Sequence, residues 1–299
     1  DMCLAALVRI IDRENDFTLS NYGRYLEEHP PTYLAQLKGG ENDLGTSWSC
    51  FHGVDRWYRD CGCTTGGKEG WNQKWRAPLR DALIHLRDSL KNIFVNEIPN
   101  FSGTDPQKIR NHYIEVLTNR IKREDFARKY LDKAPASNQE TLESFFSLLE
   151  GQKFSMSMFT SCGWFFADLS GIETIQNLAF AVRAVKLYTR FTEEELLDNF
   201  ITELELAQSN IKDVGSGRDI VETVILILQK KLWFGASLFI FRELVETEDS
   251  KQEVYGIFKR ESLSIEKKDN SFHGEIEVTA LPTLEKNIFF FTTDQVEPF

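Results

Sequence analysis

The chain has 299 residues, of which 41% are hydrophobic and 27% are charged, a balance typical of soluble globular proteins. Its 46 acidic residues outnumber 35 Lys and Arg, so the net charge is −11, and no Lys/Arg-rich stripe counters that field locally. This charge excludes nucleic acid as an expected partner. No apolar run approaches the ~18 residues of a membrane span, so no membrane partner is expected either.

The cysteines indicate the compartment. There are five, an odd number, and three of them lie in one loop with C-x-C spacing. A secreted disulfide framework is usually even in number and spread along the chain. The N-terminus also lacks the pattern of a signal peptide. A reducing, cytoplasmic location is therefore expected.

The N-terminal part combines one helix with a long irregular stretch. Apolar residues at helical spacing predict a helix over Met2–Asn15, and a loop follows through residues 21–31. The segment Ser47–Arg76 then holds four of the six tryptophans and is too rich in glycine for a helix. Long irregular loops in compact proteins are usually functional or disordered, and this one is too aromatic for disorder. The composition therefore predicts a binding surface.

Helices dominate the middle of the chain. The pairs Ser137/Glu140 and Thr192/Glu195 have the spacing of capping boxes. A second aromatic segment, Met156–Gly171, lacks a clean period. Periodicity and cap signals predict helices over Leu79–Val95, Thr104–Thr118, Arg123–Leu131, Asn138–Leu149, Ile172–Arg190, Glu193–Ser209 and Arg218–Val245.

The pattern changes to that of strands after about Asp249. Alternating apolar and polar residues predict strands over Val254–Arg260, Ser262–Lys267, His273–Ala280 and Asn287–Thr293. The predicted fold is therefore mainly α, a bundle-like helical domain with long Trp/Cys/Gly-rich loops and a small antiparallel β element over residues 249–299. Because so few strands rarely form a stable sheet alone, this element either packs on the helices or is truncated.

Metal-ligand residue types cluster in the Trp-rich loop. Cys50-x-His52 and Cys61-x-Cys63 together supply three thiols and one imidazole, as zinc and iron–sulfur sites use. The spacing departs from the usual C-x₂₋₄-C knuckle, and C-x-C strains chelation of one ion by both thiolates. The prediction is therefore that the cysteines pack inside a tight loop and that no cofactor is bound. A metal site at these four residues is the alternative.

The same loop contains the elements of a nucleophilic site. Cys50 or Cys61 could pair with His52, and Asp60 could orient the imidazole. Nothing in the sequence indicates that geometry, and ordinary packing of these residues is the stronger interpretation.

Carbohydrate binding fits the composition best, because tryptophan faces stack on sugar rings while polar groups bind hydroxyls. Tryptophan also serves as a core residue, an equal alternative for Trp75. The second aromatic segment adds Trp164, Asp168 and Glu173, and hydrolysis would need two carboxylates, for which only Asp60 and Asp168 are weak candidates. The predicted substrate-binding set is Trp48, His52, Arg56, Trp57, Asp60, Trp71, Asn72, Trp164, Asp168 and Glu173.

Four ordered motifs resemble a known family. The sequences SWSCFHGVDRWYRDCGCTTGG, GWNQKWRAPLRDAL, MFTSCGWFFADLSGIETIQNLAFAVRA and AQSNI…GSGRDIVE resemble the uncharacterised helical domain that follows the catalytic module in family 57 (α-amylase-like) glycoside hydrolases. Phe51 and Tyr58 depart from the residues expected at those positions.

This resemblance implies an intracellular enzyme acting on α-glucans. Its catalytic carboxylates would lie on an upstream barrel of the same polypeptide, of which residues 1–20 would be the trailing helix, and residues 21–248 would be the helical domain. The two signature segments would line the α-glucan site. The isolated chain is then expected to be inactive, and a metal-binding module or a purely structural cap on the barrel are the alternative functions.

Overall fold

The computed structural model describes most of the chain. The described residues are 2–13, 17–40, 43–133, 138–228, 231–245, 252–254, 257–268 and 271–294. The chain divides into two compact units, Asp1–Ser47 and Trp48–Phe299. The boundaries predicted after residues 20 and 248 stay predictions. No described helix is both long and apolar enough to cross a bilayer.

The first unit contains two helices among its described residues. Helix α1, Met2–Arg13, confirms the predicted first helix, whose predicted end at Asn15 lies outside the described residues. Helix α2, Tyr22–Glu28, occupies a stretch predicted as loop. The prediction missed the cap signal of Asn21, whose side chain accepts a hydrogen bond from the backbone N–H of Arg24.

The second unit is mainly helical, which confirms the predicted fold class. Its helices are α3 Arg76–Glu97, α4 Pro106–His112, α5 Ile114–Leu117, α6 Arg123–Tyr130, α7 Gln139–Ser157, α8 Ile172–Tyr188, α9 Leu196–Leu204, α10 Gly217–Leu228 and α11 Lys231–Val245. Short 3₁₀ turns cover Asp55–Trp57, Ile98–Asn100, Ser161–Trp164 and Thr189–Phe191.

Two predicted helices have the wrong length. Helix α7 continues to Ser157, well past the predicted end, and its N-cap is Asn138, which accepts from the N–H of Thr141. The proposed cap Ser137 lies outside the described residues. Helix α9 starts only at Leu196, because the hydroxyl of Thr192 accepts from the N–H of Glu194 and so forms a turn instead of a capping box.

One other predicted helix is divided. The one predicted over residues 104–118 is interrupted at Tyr113, which ends α4 and precedes α5. The one predicted over residues 218–245 is described as α10 and α11, and residues 229 and 230 between them lie outside the described part. Apolar periodicity runs through Tyr113 and therefore did not reveal the interruption there.

The C-terminal strands form one antiparallel sheet in the order β1-β2-β3-β4. The strands are β1 Glu253–Val254, β2 Phe258–Lys268, β3 Ser271–Ala280 and β4 Glu285–Asp294. The two strands predicted on either side of residue 261 are a single strand, β2, with an irregularity between Arg260 and Ser262. Helix α11 covers one face of the sheet, where Phe239 packs with Phe258 and Ile276 in a small apolar cluster.

The main core lies between α3, α7, α8, α9 and α10. At the contact of α7 with α8, a Cβ added to Gly151 would lie 1.9 Å from the ring of the buried Tyr188. The glycine therefore sets how closely the two helices approach. The Tyr188 hydroxyl donates to the Leu148 carbonyl and accepts from the Gln152 amide, which holds the ring in that position. This rigid body carries the long loop that precedes α3.

Candidate metal centre and its loop

The loop over residues 48–75 is shaped by glycines in the left-handed region of backbone conformation. Gly53 has φ 72° and Gly62 has φ 78°, values that residues with a side chain rarely adopt. Gly62 lies between Cys61 and Cys63, and the reversed backbone there lets both thiols face the same side. The strain expected for C-x-C chelation is thereby avoided.

Four metal-ligand side chains converge in this loop. The Cys50 sulfur lies 3.7 Å from that of Cys61 and 4.0 Å from that of Cys63. The Cys63 sulfur lies 3.5 Å from Nδ1 of His52. All four ligand atoms are within 4.8 Å of one another, and the cysteines are free thiols.

These separations match a tetrahedral zinc ion. With Zn–S of about 2.3 Å and Zn–N of about 2.0 Å, tetrahedral geometry places two sulfurs about 3.8 Å apart and a sulfur and a nitrogen about 3.5 Å apart. The two contacts of the Cys50 sulfur and the Cys63–His52 contact lie close to these values. Three thiolates and one imidazole also complete the coordination shell of a structural zinc site and leave no open position for a substrate.

Backbone amides point at two of the sulfurs. Burial raises the pKa of Cys50, but the N–H groups of His52 and Arg56 donate to its sulfur and bring the net pKa below the ordinary value. At Cys61 the N–H of Cys63 also donates, yet burial dominates and raises the pKa to about 11. In both Cys50-x-His52 and Cys61-x-Cys63, the backbone N–H of the second residue therefore donates to the sulfur of the first. Such hydrogen bonds are typical of metal-bound thiolates.

Two buried arginines surround the sulfurs. Arg56 is 2% exposed and donates to the Ser49 carbonyl and the Thr65 hydroxyl. Arg76 is fully buried and donates to the carbonyls of Cys63 and Phe166. Burial first, and the charge of Arg56 second, lower the pKa of Arg76 to about 10. Neither guanidinium forms an ion pair with a carboxylate in the described part of the chain, so both charges lack a close counter-ion.

The loop is fastened to the second aromatic segment by hydrogen bonds and a ring contact. The indole N–H of Trp57 donates to the Ser161 carbonyl at 3.1 Å, and the side-chain amide of Gln73 donates to the Ala167 carbonyl at 3.1 Å. Arg56 also lies over the ring of Phe165, 5.2 Å from its centroid. The two segments therefore form one continuous surface.

Asp168 is the centre of a third connection. Its carboxylate accepts from the N–H and hydroxyl of Ser170, the hydroxyl of Ser209, and the N–H and side-chain amide of Asn210. Burial raises its pKa, but these hydrogen bonds outweigh burial and lower it overall. Asn210 also exchanges two hydrogen bonds with the backbone of Asn72. The sequence analysis did not single out Ser209 or Asn210, although both lie in its AQSNI motif.

Three signature segments therefore meet at one side of the helical body. Residues 71–296 match the family described as a domain of unknown function (DUF3536). The chain belongs to this family. No curated protein and no solved structure matches the chain significantly.

The match begins at residue 71, after the four metal-ligand residues. Within the DUF3536 match lie Arg76, Asp168 and Asn210, which connect the loop to the helical body. The loop of the candidate metal centre therefore precedes the matched range but is held by residues inside it.

The predicted substrate-binding residues of this DUF3536 protein divide by exposure. Trp48 is 92% exposed, and Phe51 beside the ligands is 96% exposed. Trp57, Trp71 and Glu173 are half-buried, while His52, Asp60 and Asn72 are exposed. Arg56, Trp164 and Asp168 are buried, as is Trp75. Burial leaves those four without a face for a sugar, so in this structure they position the loop.

The nucleophilic arrangement differs from the predicted one. The thiol in contact with His52 is that of Cys63, whereas the prediction paired the imidazole with Cys50 or Cys61. Asp60 does not orient His52, because its two oxygens accept from the backbone N–H groups of Gly62 and Gln73. The cluster thus has the geometry of four ligands around one point.

Proposed function

We propose that Cys50, His52, Cys61 and Cys63 bind one Zn²⁺ ion that stabilises the loop over residues 48–75. The observation that carries this proposal is the convergence of the four ligand atoms within 4.8 Å, with three contacts of 3.5, 3.7 and 4.0 Å that are close to the separations in a tetrahedral Cys₃His site. Separations below 4.8 Å suit a single ion better than an iron–sulfur cluster, which commonly uses four cysteines.

Charge supports the same proposal. A zinc ion with three thiolates and a neutral imidazole carries one net negative charge. Arg56 and Arg76 lie at this centre with buried guanidinium groups, and the sulfurs of Cys50 and Cys61 favour the charged form of Arg76. Metal binding keeps the thiols deprotonated, and it thereby supplies the counter-charge that the two arginines need.

The test is the metal content of the protein. After equilibration with zinc and removal of free ions, we expect about one zinc per chain by elemental analysis, and a content close to zero in Cys61→Ser. Cys162→Ser is the matched control, because Cys162 is an exposed cysteine outside the cluster, and it should keep its zinc. Substoichiometric zinc in the wild type, or reaction of all five thiols with a thiol reagent in the native state, would disprove the site.

We also propose that the surface held by the metal contacts a carbohydrate. The supporting observation is the exposure of the Trp48 and Phe51 side chains on a loop that is otherwise tied down. Tryptophan faces are suited to stacking on sugar rings, and the half-buried Trp57 and Trp71 extend the aromatic surface.

The resemblance to the domain of family 57 glycoside hydrolases supports α-glucan as the ligand class. In this proposal the chain forms one wall of an active site, and the catalytic carboxylates lie in a barrel module of the same polypeptide. Asp60 and Asp168 do not form a usable pair, because each uses both carboxylate oxygens to accept hydrogen bonds from the protein.

Maltoheptaose binding to the intact protein tests the carbohydrate proposal. Trp48→Ala is expected to weaken binding about tenfold, as the loss of one well-stacked aromatic ring does. Phe290→Ala is the control, since Phe290 is a similarly exposed aromatic residue on β4, and its binding should equal that of the wild type. If Trp48→Ala binds maltoheptaose like the wild type, the loop is not the sugar-contacting surface.

A further inference from the structure

A second site lies away from the metal loop, where α8 meets the sheet. Arg183, Lys186 and Arg190 follow one another along α8 and the turn after it at helical spacing, so they share one face. They line a cavity of about 480 Å³ whose opposite side is formed by the start of α11 and by the β3–β4 turn. A volume of this size accommodates a small organic molecule.

The three cations of this cavity outnumber the acidic groups of its described lining. Arg183 forms no hydrogen bond and no ion pair with the residues that the structure describes, and burial lowers its pKa despite the opposing charges of Glu285 and Glu150. Glu150 is already bound by Arg123 and Lys153. Glu285, which accepts a hydrogen bond from the Asn287 amide, is the other acidic group of the described lining.

The other wall of the cavity is aromatic. Phe154, Trp233 and Phe289 line it, and the indole of Trp233 is more than half exposed. Thr283 and Asn287 add neutral polar groups beside the cations. The cavity therefore combines a cationic end for an anion with an apolar surface for a ring or chain.

We propose that this cavity binds a small phosphate monoester, with the phosphate on Arg183, Lys186 and Arg190 and its organic group against Trp233. A guanidinium fork matches two phosphate oxygens at once, and a dianion suits three neighbouring cations better than a carboxylate would. The proposal is independent of the zinc site, since none of the four metal ligands lines this cavity.

Calorimetric titration with two probes, inorganic phosphate and phenyl phosphate, tests this site at constant ionic strength. We expect both to bind the zinc-loaded protein, and phenyl phosphate to bind more tightly because its ring contacts Trp233. Arg183→Met should weaken both probes about tenfold or more, as the loss of a charged hydrogen bond does. Trp233→Ala should weaken phenyl phosphate alone.

Arg128→Met is the matched control, because Arg128 is an exposed arginine that pairs with Asp125 elsewhere on the surface. It should bind both probes like the wild type. Should Arg183→Met fail to fold, the exposed Arg190→Ala reports on the same site. The proposal is wrong if neither probe gives saturable binding, or if folded Arg183→Met and Arg190→Ala both bind phenyl phosphate like the wild type. Loss of affinity in Arg128→Met would likewise overturn it, since the probes would then be responding to overall charge.

Discussion

Removal of the zinc ion is expected to lower the free energy of unfolding of the Trp48–Phe299 unit by about 4 kcal/mol, when free zinc stands about a thousandfold above its dissociation constant. The ion binds the folded loop and has much lower affinity for the unfolded chain, so its binding energy adds to folding. For a unit of this size, such a loss corresponds to a fall in melting temperature of roughly 10 °C. Thermal unfolding with and without a strong chelator measures it.

Limited trypsin digestion can show whether chelation destabilises the loop over residues 48–75. Arg59 and Lys68 lie in the metal loop and should be cut after chelation, while sites within α3 stay protected by the helical core. Cys162→Ser should lose as much stability on chelation as the wild type, because it keeps all four ligands. A melting temperature that chelator leaves unchanged in both proteins would exclude a structural metal.

Replacing Glu150 is expected to destabilise the helical core by about 3 kcal/mol, the lower end of the range for breaking a buried ion pair. The Glu150 side chain is fully buried, receives a hydrogen bond from the Tyr113 hydroxyl, and pairs with Arg123 and Lys153. Glu150→Gln keeps the shape but removes the charge, and so leaves Arg123 and Lys153 without the carboxylate that pairs with both. Both cations are partly exposed, which places the cost at that lower end.

Urea denaturation at neutral pH measures this loss. Glu143→Gln is the matched control on the same helix, since among the described residues Glu143 bonds only to the nearby Gln139, and its change should stay within about 0.5 kcal/mol. Equal stability of Glu150→Gln and Glu143→Gln would show that the buried carboxylate contributes nothing to the core.

The candidate metal centre shows how much of a site a local sequence pattern can predict. The ligand types at Cys50, His52, Cys61 and Cys63 were visible in the chain, but their spacing argued against one ion. Spacing rules assume ordinary backbone conformations, and Gly62 adopts a left-handed one that turns both of its neighbours toward Cys50. A glycine between two cysteines was the available signal, and its conformation depends on the folded loop.

The helices show the same difference between features that the sequence predicts and features that depend on the fold. Periodic apolar residues located most of the helices, because burial of one face is a local requirement. The extra length of α7 and the late start of α9 were missed, because each depends on contacts with distant segments or on which of several caps is used. The burial of Trp164 was not predicted either, because the presence of a tryptophan does not by itself distinguish a core position from a binding surface.

The sequence by itself determined the helical class, the C-terminal antiparallel element and the residue types of a metal or sugar-binding loop. These follow from periodicity, charge and composition, which act over a few neighbouring residues. Only the tertiary structure decided that the four candidate ligand side chains converge within 4.8 Å, that Asp168 and Asn210 join three segments, and that Arg183 lines a cavity with Trp233. Each of these depends on packing between residues far apart in the chain, which no local pattern encodes.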